Sequence, residues 1–210
     1  MPEFASGSGY FMNAREDVLG ELTLPLGRVL DVGCGAGNTG PGLRAAGAEH
    51  LTGVEFVPDA AEAARARFDE VHSGAIEDAL PHLQGPFDTI LCLDVLEHLR
   101  DPEPVVRELR ALASPRGQLK VSVPNARHVS LVYDLVVRGT FHYTDWGHRD
   151  RTHLRWFTRR DIVELLDVTG WHVTGVSHPR LGRSAGLDRL TRGRSTEFLV
   201  GQWYVAATAG

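Results

Sequence analysis

The run Val29-Leu30-Asp31-Val32-Gly33-Cys34-Gly35-Ala36-Gly37-Asn38 constrains this chain more than any other stretch. An apolar segment, Arg28 to Val32, ends in glycines at three alternate positions, Gly33, Gly35 and Gly37. It reads as a buried parallel strand that turns sharply into a helix and leaves bare backbone for a ligand to approach. The next helix offers unpaired N–H groups at its start, so a nucleoside-bearing cofactor is the expected occupant. The spacing is D-x-G-x-G-x-G. A dinucleotide fingerprint, G-x-G-x-x-G, would need its third glycine at position 38, where Asn38 stands. Because glycine loops also serve purely structural turns, this one takes its meaning from the strands and helices on its C-terminal side.

Thr39 to Ala46 reads as a short helix, with Pro41 in its first turn and Gly47 at its end. His50 to Phe56 (HLTGVEF) is a second strand. Its Glu55 lies 24 residues after Asp31, one strand–helix–strand step, which puts a carboxylate at the carboxyl edge of the neighbouring strand. Two oxygens there can accept from both hydroxyls of a ribose. Pro58 to Phe68 is an Ala-rich helix and Glu70 to Ser73 a weak third strand. The apolar Phe87 to Leu93 is a buried fourth strand, opening into Asp94-Val95-Leu96-Glu97-His98-Leu99 at the edge that holds the glycine loop. Asp101 and Pro102 start a helix to Ala113, Ser114 to Gly117 is a turn, and Gln118 to Val123 is a fifth strand.

The glycine loop, the acidic end of the second strand and the series FD…DVLEHL…SPRG before a further strand resemble the class I S-adenosylmethionine-dependent methyltransferases. The likeness spans roughly residues 10–178 and is to the ubiquinone-biosynthesis and related small-molecule type. It implies a Rossmann-like, doubly wound, seven-stranded and mostly parallel α/β sheet. A C-terminal antiparallel strand pair, here Trp171 to Ser177 and Phe198 to Ala207, and a lid after the fifth strand complete it. The implied cofactor is S-adenosylmethionine, with S-adenosylhomocysteine as product. Its expected site is Asp31, Gly33, Gly35, Gly37, Glu55, Phe56, Ala75, Ile76 and Leu93, closed by Arg15 (with Tyr10 and Phe11) from a helix over Tyr10 to Leu22. Where the family usually carries an acidic residue for the adenine amino group, this chain has Ala75. Adenine recognition therefore passes to the backbone of Ala75 and Ile76, or to Glu77. The expected organisation is one domain, 1–210, with an N-terminal arm and helix over 1–25 and a substrate lid over 126–157.

Within that lid, Ala126 to Arg138 reads as an apolar amphipathic helix. Gly139 to Phe157 is long, polar and aromatic, with His142, His148, His153, Trp146 and Trp156, as binding loops often are. Thr158 caps a helix to about Val168, and Gly170 stops it. Methyl transfer from a sulfonium is an in-line displacement: the acceptor lone pair must be aimed at the methyl carbon, and a hydroxyl acceptor must also lose its proton. Candidate bases are His153, His98 and His148, with Asp94, Asp145 or Asp150 to orient them, because imidazole titrates near neutral pH. The same region offers a possible divalent metal site. Asp94, Glu97 and His98 at i, i+3, i+4 share a face if a helix begins there, and His153 would complete an oxygen and nitrogen set suited to Mg²⁺ or Mn²⁺. This resembles the metal-binding E-x-x-E-H segment with a later His of ubiquinone-pathway and small-RNA 2′-O-methyltransferases. The plainer alternative is that Glu97 and His98 contact the methionine end of the cofactor or hold the lid.

Two cysteines, Cys34 and Cys92, argue against a disulfide framework and suit a reducing, cytoplasmic location. No stretch of about 18 apolar residues and no signal-peptide pattern is present, so no membrane partner is expected. The net charge of −5 hides an asymmetry: residues 1–120 carry 19 acidic and 10 basic side chains, residues 121–210 carry 8 and 12. A basic C-terminal half can attract an anion. A nucleic-acid acceptor, as in RNA 2′-O-methylation, is the enzymatic alternative, but the negative net charge and the lack of an added RNA-binding module weigh against it. A non-catalytic S-adenosylmethionine-binding module is the other alternative, disfavoured by the intact loop. The leading expectation is a small-molecule acceptor with a phenolic, quinone-like or sugar hydroxyl.

Overall fold

The structure is a computed structural model and describes residues 16–179 and 195–210. A short α1 (Glu16–Leu19) precedes β1 (Gly27–Val32), α2 (Gly40–Ala45), β2 (Ala48–Glu55), α3 (Pro58–Ala64), β3 (Glu70–Ser73) and α4 (Ile76–Ala79). Then come β4 (Phe87–Leu93), α5 (Pro102–Leu112), β5 (Ala113–Pro124), α6 (Val129–Val136), α7 (Arg159–Val168) and β6 (His172–Ser177). The short α8 (Thr196–Leu199) and β7 (Gln202–Thr208) close the chain. Seven strands form one sheet in the order β3-β2-β1-β4-β5-β7-β6. β7 pairs antiparallel with both β5 and β6, whereas β1 to β5 pair in parallel. This is the Rossmann-like, doubly wound sheet with its antiparallel C-terminal pair. Because β1 lies between β2 and β4, the strand order reverses there, and a crevice opens at the carboxyl ends of β1 and β4.

Side chains alternate across this sheet and bury two cores. Leu30 and Val32 of β1, Ile90 and Cys92 of β4, Leu119, Val121 and Val123 of β5, and Trp203 and Val205 of β7 meet α5 and α7 on one face. Val29, Leu51 and Leu91 pack against α2 and α3 on the other. α5 contributes Val105, Val106 and Leu109, spaced for one helical face, and starts at Pro102. α7 is set by a capping box: Thr158 Oγ1 accepts from the Asp161 N–H, and Asp161 Oδ2 accepts from the Thr158 N–H. The opposite face of β5 is polar. Gln118 exchanges two hydrogen bonds with the backbone of Thr23, and Lys120, only 2 % exposed, reaches Glu21 at 2.5 Å. Together they clip residues 21–23 onto the sheet.

Three sequence expectations change. Phe198 and Leu199 belong to α8, not to the last strand, which starts at Gln202. Tertiary contacts decide this: the Asn125 side-chain amide donates to the carbonyls of Glu197 and Val200, and the Arg127 guanidinium lies 4.5 Å from the Phe198 ring centre. β5 begins at Ala113 and runs through the expected Ser114–Gly117 turn, with a register shift against β4 between Phe87 and Thr89. Of the expected N-terminal helix, only Glu16–Leu19 is helical among the described residues, and Tyr10, Phe11 and Arg15 lie outside them.

Candidate active site

The loop after β1 has the conformation its glycines predict. Gly33, Gly35 and Gly37 have φ of +74°, +55° and +78°, a region that disfavours side chains. A side chain at Gly33 would also collide with Val95, so the loop lies directly against the turn after β4. Asp31 is buried at the loop's base, where its carboxylate accepts from Thr39 Oγ1 at 2.7 Å. Glu55 stands at the end of β2, also buried. One of its oxygens accepts from the Gly35 N–H and the other from the Val57 N–H, each at 2.8 Å. A carboxylate has about four lone-pair positions, so two protein donors leave acceptor capacity for a ligand's hydroxyls. Phe56 comes next on the exposed rim, Leu93 is half-buried at the end of β4, and Ile76 is buried at the start of α4. The Ala75 carbonyl accepts from the N–H groups of Asp78 and Ala79, which leaves N–H groups at the start of α4 as the available backbone donors there. Burial, reinforced by the Asp31 and Glu55 charges, pushes the Cys34 thiol far above its ordinary value, so it is inert at neutral pH.

The turn after β4 departs from the expected helix. Asp94 adopts φ +58°, and beyond it the chain forms a single 3₁₀ turn, Leu96–His98. Asp94 therefore does not share a helical face with Glu97 and His98. Its carboxylate instead accepts from Ser122 Oγ at 2.9 Å and from the Gln202 side-chain amide, and both partners lie on the β5–β7 side of the crevice. Sequence reasoning misses Ser122 and Gln202, because nothing local marks them: Gln202 lies 108 positions from Asp94.

Glu97, His98 and His153 do come together. One ligand atom from each lies within 4.8 Å of the others, and Glu97 is 1 % exposed. The two imidazoles meet edge to face, with ring centres 4.8 Å apart. His98 Nδ1 faces the Thr152 carbonyl at 3.3 Å. A carbonyl only accepts, so in the neutral ring Nδ1 carries the proton and Nε2 keeps its lone pair. Burial and the neighbouring His98 hold His153 below the ordinary imidazole range, so it is neutral at pH 7 and able to take a proton or bind a cation. A buried carboxylate beside two imidazoles is a donor set for a divalent ion, and equally a base with a group to stabilise its protonated form.

His153 arrives from the long excursion between β5 and α7. The neck of that excursion is closed by a bridge between Asn125 and Phe157. Its returning limb is pinned to the 3₁₀ turn, where the Glu97 carbonyl accepts from the N–H groups of Leu154 and Arg155 at 2.8 and 3.0 Å. Residues 126–157 thus fold back over the end of β4. Phe141, Tyr143 and Trp156 form an aromatic cluster, with ring centres 5.4 to 6.4 Å apart. The His148 ring does not join the Glu97 cluster, although its backbone is hydrogen-bonded to the His153 side chain: its Nε2 donates to the Gly201 carbonyl at 2.7 Å, and its ring stacks on His128. That geometry fastens the excursion to the start of β7.

Known proteins resemble this chain in sequence and in fold. A family described as "Methyltransferase domain" matches residues 9–176. A protein named ubiquinone biosynthesis O-methyltransferase, from Xylella fastidiosa strain M23, is 35% identical over 196 residues, covering 85% of this chain and 74% of its own. One of the same name from Xanthomonas euvesicatoria pv. vesicatoria is 30% identical over 172 residues, covering 74% and 70%. Among solved structures, a chain from the complex of the Haloferax volcanii Trm112 methyltransferase activator with a methyltransferase superposes with a TM-score of 0.70 at 19% identity, over 100% of this chain and 98% of that one. A Mesorhizobium loti S-adenosylmethionine-dependent methyltransferase gives 0.64 at 16%, over 93% and 98%.

Proposed function

Since the chain belongs to the S-adenosylmethionine-dependent methyltransferases, we propose that it methylates a hydroxyl oxygen of a small molecule, a phenol or quinone-like acceptor ahead of a sugar. The observation that carries this reading is the Glu97–His98–His153 cluster beside the glycine loop. An amine is already a nucleophile when neutral, whereas a hydroxyl gains most from a base held neutral at pH 7. The name of the Xylella relative supports the phenolic class.

The loop and Glu55 fit the cofactor. Backbone at Gly33, Gly35 and Gly37 gives close approach, Glu55 would accept from the ribose hydroxyls, and N–H groups at the start of α4 would meet the adenine. When bound, the cofactor supplies an electrophilic methyl group. His153 takes the acceptor's proton, and the Glu97 carboxylate stabilises the imidazolium that results. His98, held by the Thr152 carbonyl, fixes the orientation of the pair. The excursion over 126–157 acts as the lid, excluding water and setting the acceptor in line. In a second reading the same three residues hold a divalent ion, which would supply Lewis acidity to the acceptor hydroxyl.

The test is turnover with S-adenosylmethionine on parallel panels of phenols and catechols, sugars, and amines, reading S-adenosylhomocysteine and the product's mass. The expected product is an O-methyl ether, formed roughly 100-fold more slowly by His153→Ala with cofactor affinity retained. Methylation confined to amines, or full activity in His153→Ala, would overturn the reading. A chelator separates the two mechanisms: activity surviving it assigns His153 as base, and activity restored only by an added divalent ion assigns the metal.

A further inference from the structure

The order of the strands decides where the base of a bound nucleoside falls. β3 is the edge strand beside β2, with Ser73 level with Glu55, and the Gly74 N–H donates to the Glu55 carbonyl at 2.9 Å. A nucleoside whose ribose sits on the Glu55 carboxylate, with its 5′ side toward the glycine loop and β4, turns its base the other way, over the end of β3. Gly74, Ala75 and Ile76 are therefore the residues that meet the edge of the purine. This placement rests on the reading of Glu55 as the ribose acceptor.

An adenine amino group presents two N–H donors, and a site that recognises it needs an acceptor. The end of β3 is poor in acceptors. The Ala75 side chain has none. Its carbonyl has two lone pairs, and both are used, because the N–H groups of Asp78 and Ala79 donate to it at 3.2 and 3.1 Å. Ile76 is buried and apolar. Gly74 has φ +137°, which disfavours any side chain, and a Cβ there would have nothing within 4 Å. The rim beside Ala75 is thus open, and an amino group lying on it keeps its hydrogen bonds to water. The next carboxylates along the chain, Glu77 and Asp78, are exposed on the first turn of α4, where water competes for them. We infer that this pocket takes a purine nucleoside without reading its 6-amino group, so that a cofactor with hydrogen at C6 binds as tightly as the adenosyl form. Discrimination then comes from the ribose hydroxyls and from the close approach of backbone at the glycine loop.

The experiment is calorimetric titration of the full chain with S-adenosylhomocysteine and with its 6-deamino analogue, which differ only at C6 and need no turnover. The two affinities should agree within about threefold. Ala75 is extended, with φ −66° and ψ 147°, and stands at the N-cap of α4, so Ala75→Asp is compatible with the fold. That variant places two carboxylate oxygens at the base edge, and should favour the adenosyl ligand by at least roughly tenfold. The proposal fails if the wild type already shows such a preference; its loss in Glu77→Ala would then name Glu77 as the acceptor. It fails also if Ala75→Asp binds both ligands alike, since the base edge would lie elsewhere. Glu55→Gln separates this inference from the reading it rests on. Equal weakening of both ligands keeps the ribose at Glu55 whatever the base edge does, whereas unchanged binding of both removes the ribose from Glu55 and the inference with it.

Discussion

Glu55 shows how one side chain can serve the fold and a ligand together. Its two oxygens fix the Gly35 and Val57 N–H groups and so hold the glycine loop against the end of β2. Charged hydrogen bonds are each worth about 1.5–3 kcal/mol, so Glu55→Gln should weaken S-adenosylmethionine binding by roughly 10- to 100-fold in calorimetry. Its effect on unfolding of the free protein should be smaller, because the amide oxygen can still accept one loop N–H. Histidines give a second residue-level expectation. His128, His148 and His153 all lie below the ordinary imidazole range in the fold, with burial as the main cause. In the unfolded chain they titrate near about 6.5, so below that pH the unfolded state takes up protons that the folded state resists. Stability is therefore intact above about pH 6.5 and is lost as the pH falls toward the depressed folded values. The melting temperature should drop between about pH 7 and pH 5, and His148→Gln, whose amide can still donate to the Gly201 carbonyl, should reduce that drop.

Among elements, β5 joins the site to its surroundings. Its Leu119, Val121 and Val123 fill the main core, while Gln118, Lys120 and Ser122 alternate with them on the other face. Along that polar row Gln118 holds Thr23, Lys120 holds Glu21, and Ser122 holds Asp94. Breaking the Lys120–Glu21 pair from either side should give unequal results. Glu21→Ala leaves an ammonium in a site only 2 % exposed and should destabilise by on the order of 2–3 kcal/mol, less than a fully enclosed pair because Glu21 itself is partly exposed. Lys120→Met removes the charge with its burial penalty and should come close to neutral in the same denaturant titration. The turn after β4 makes a related point. Glu97 lies three positions beyond Asp94, yet the positive φ of Asp94 sends the two carboxylates to different partners.

For the molecule as a whole, the doubly wound sheet places the loop after β1 and the turn after β4 side by side, and the excursion after β5 folds back onto the turn after β4. A cofactor that binds this crevice only in the native state stabilises the entire fold. At 100 times its dissociation constant, S-adenosylmethionine should add about 2.7 kcal/mol, visible as a rise of a few degrees in melting temperature, whereas NAD should add nothing. An equal rise with NAD would contradict the loop spacing, which puts Asn38 where a dinucleotide site needs glycine.

The sequence by itself determined the strand and helix alternation, the glycine loop with its positive-φ positions, the acidic end of β2 and the capping box of α7. Each of these is local: hydrophobic period, glycine freedom and side-chain-to-backbone caps act within a few residues, and one βα step fixes where Glu55 falls. The tertiary structure decided what depends on distant partners. Asp94 turns to Ser122 and Gln202, α8 replaces the first residues of the expected last strand because Asn125 and Arg127 hold it, and α6 faces outward because Arg138 and Arg149 fix Asp134. An apolar run has the same period whether it is buried or exposed. Which side of it meets water is set by contacts that the run does not contain.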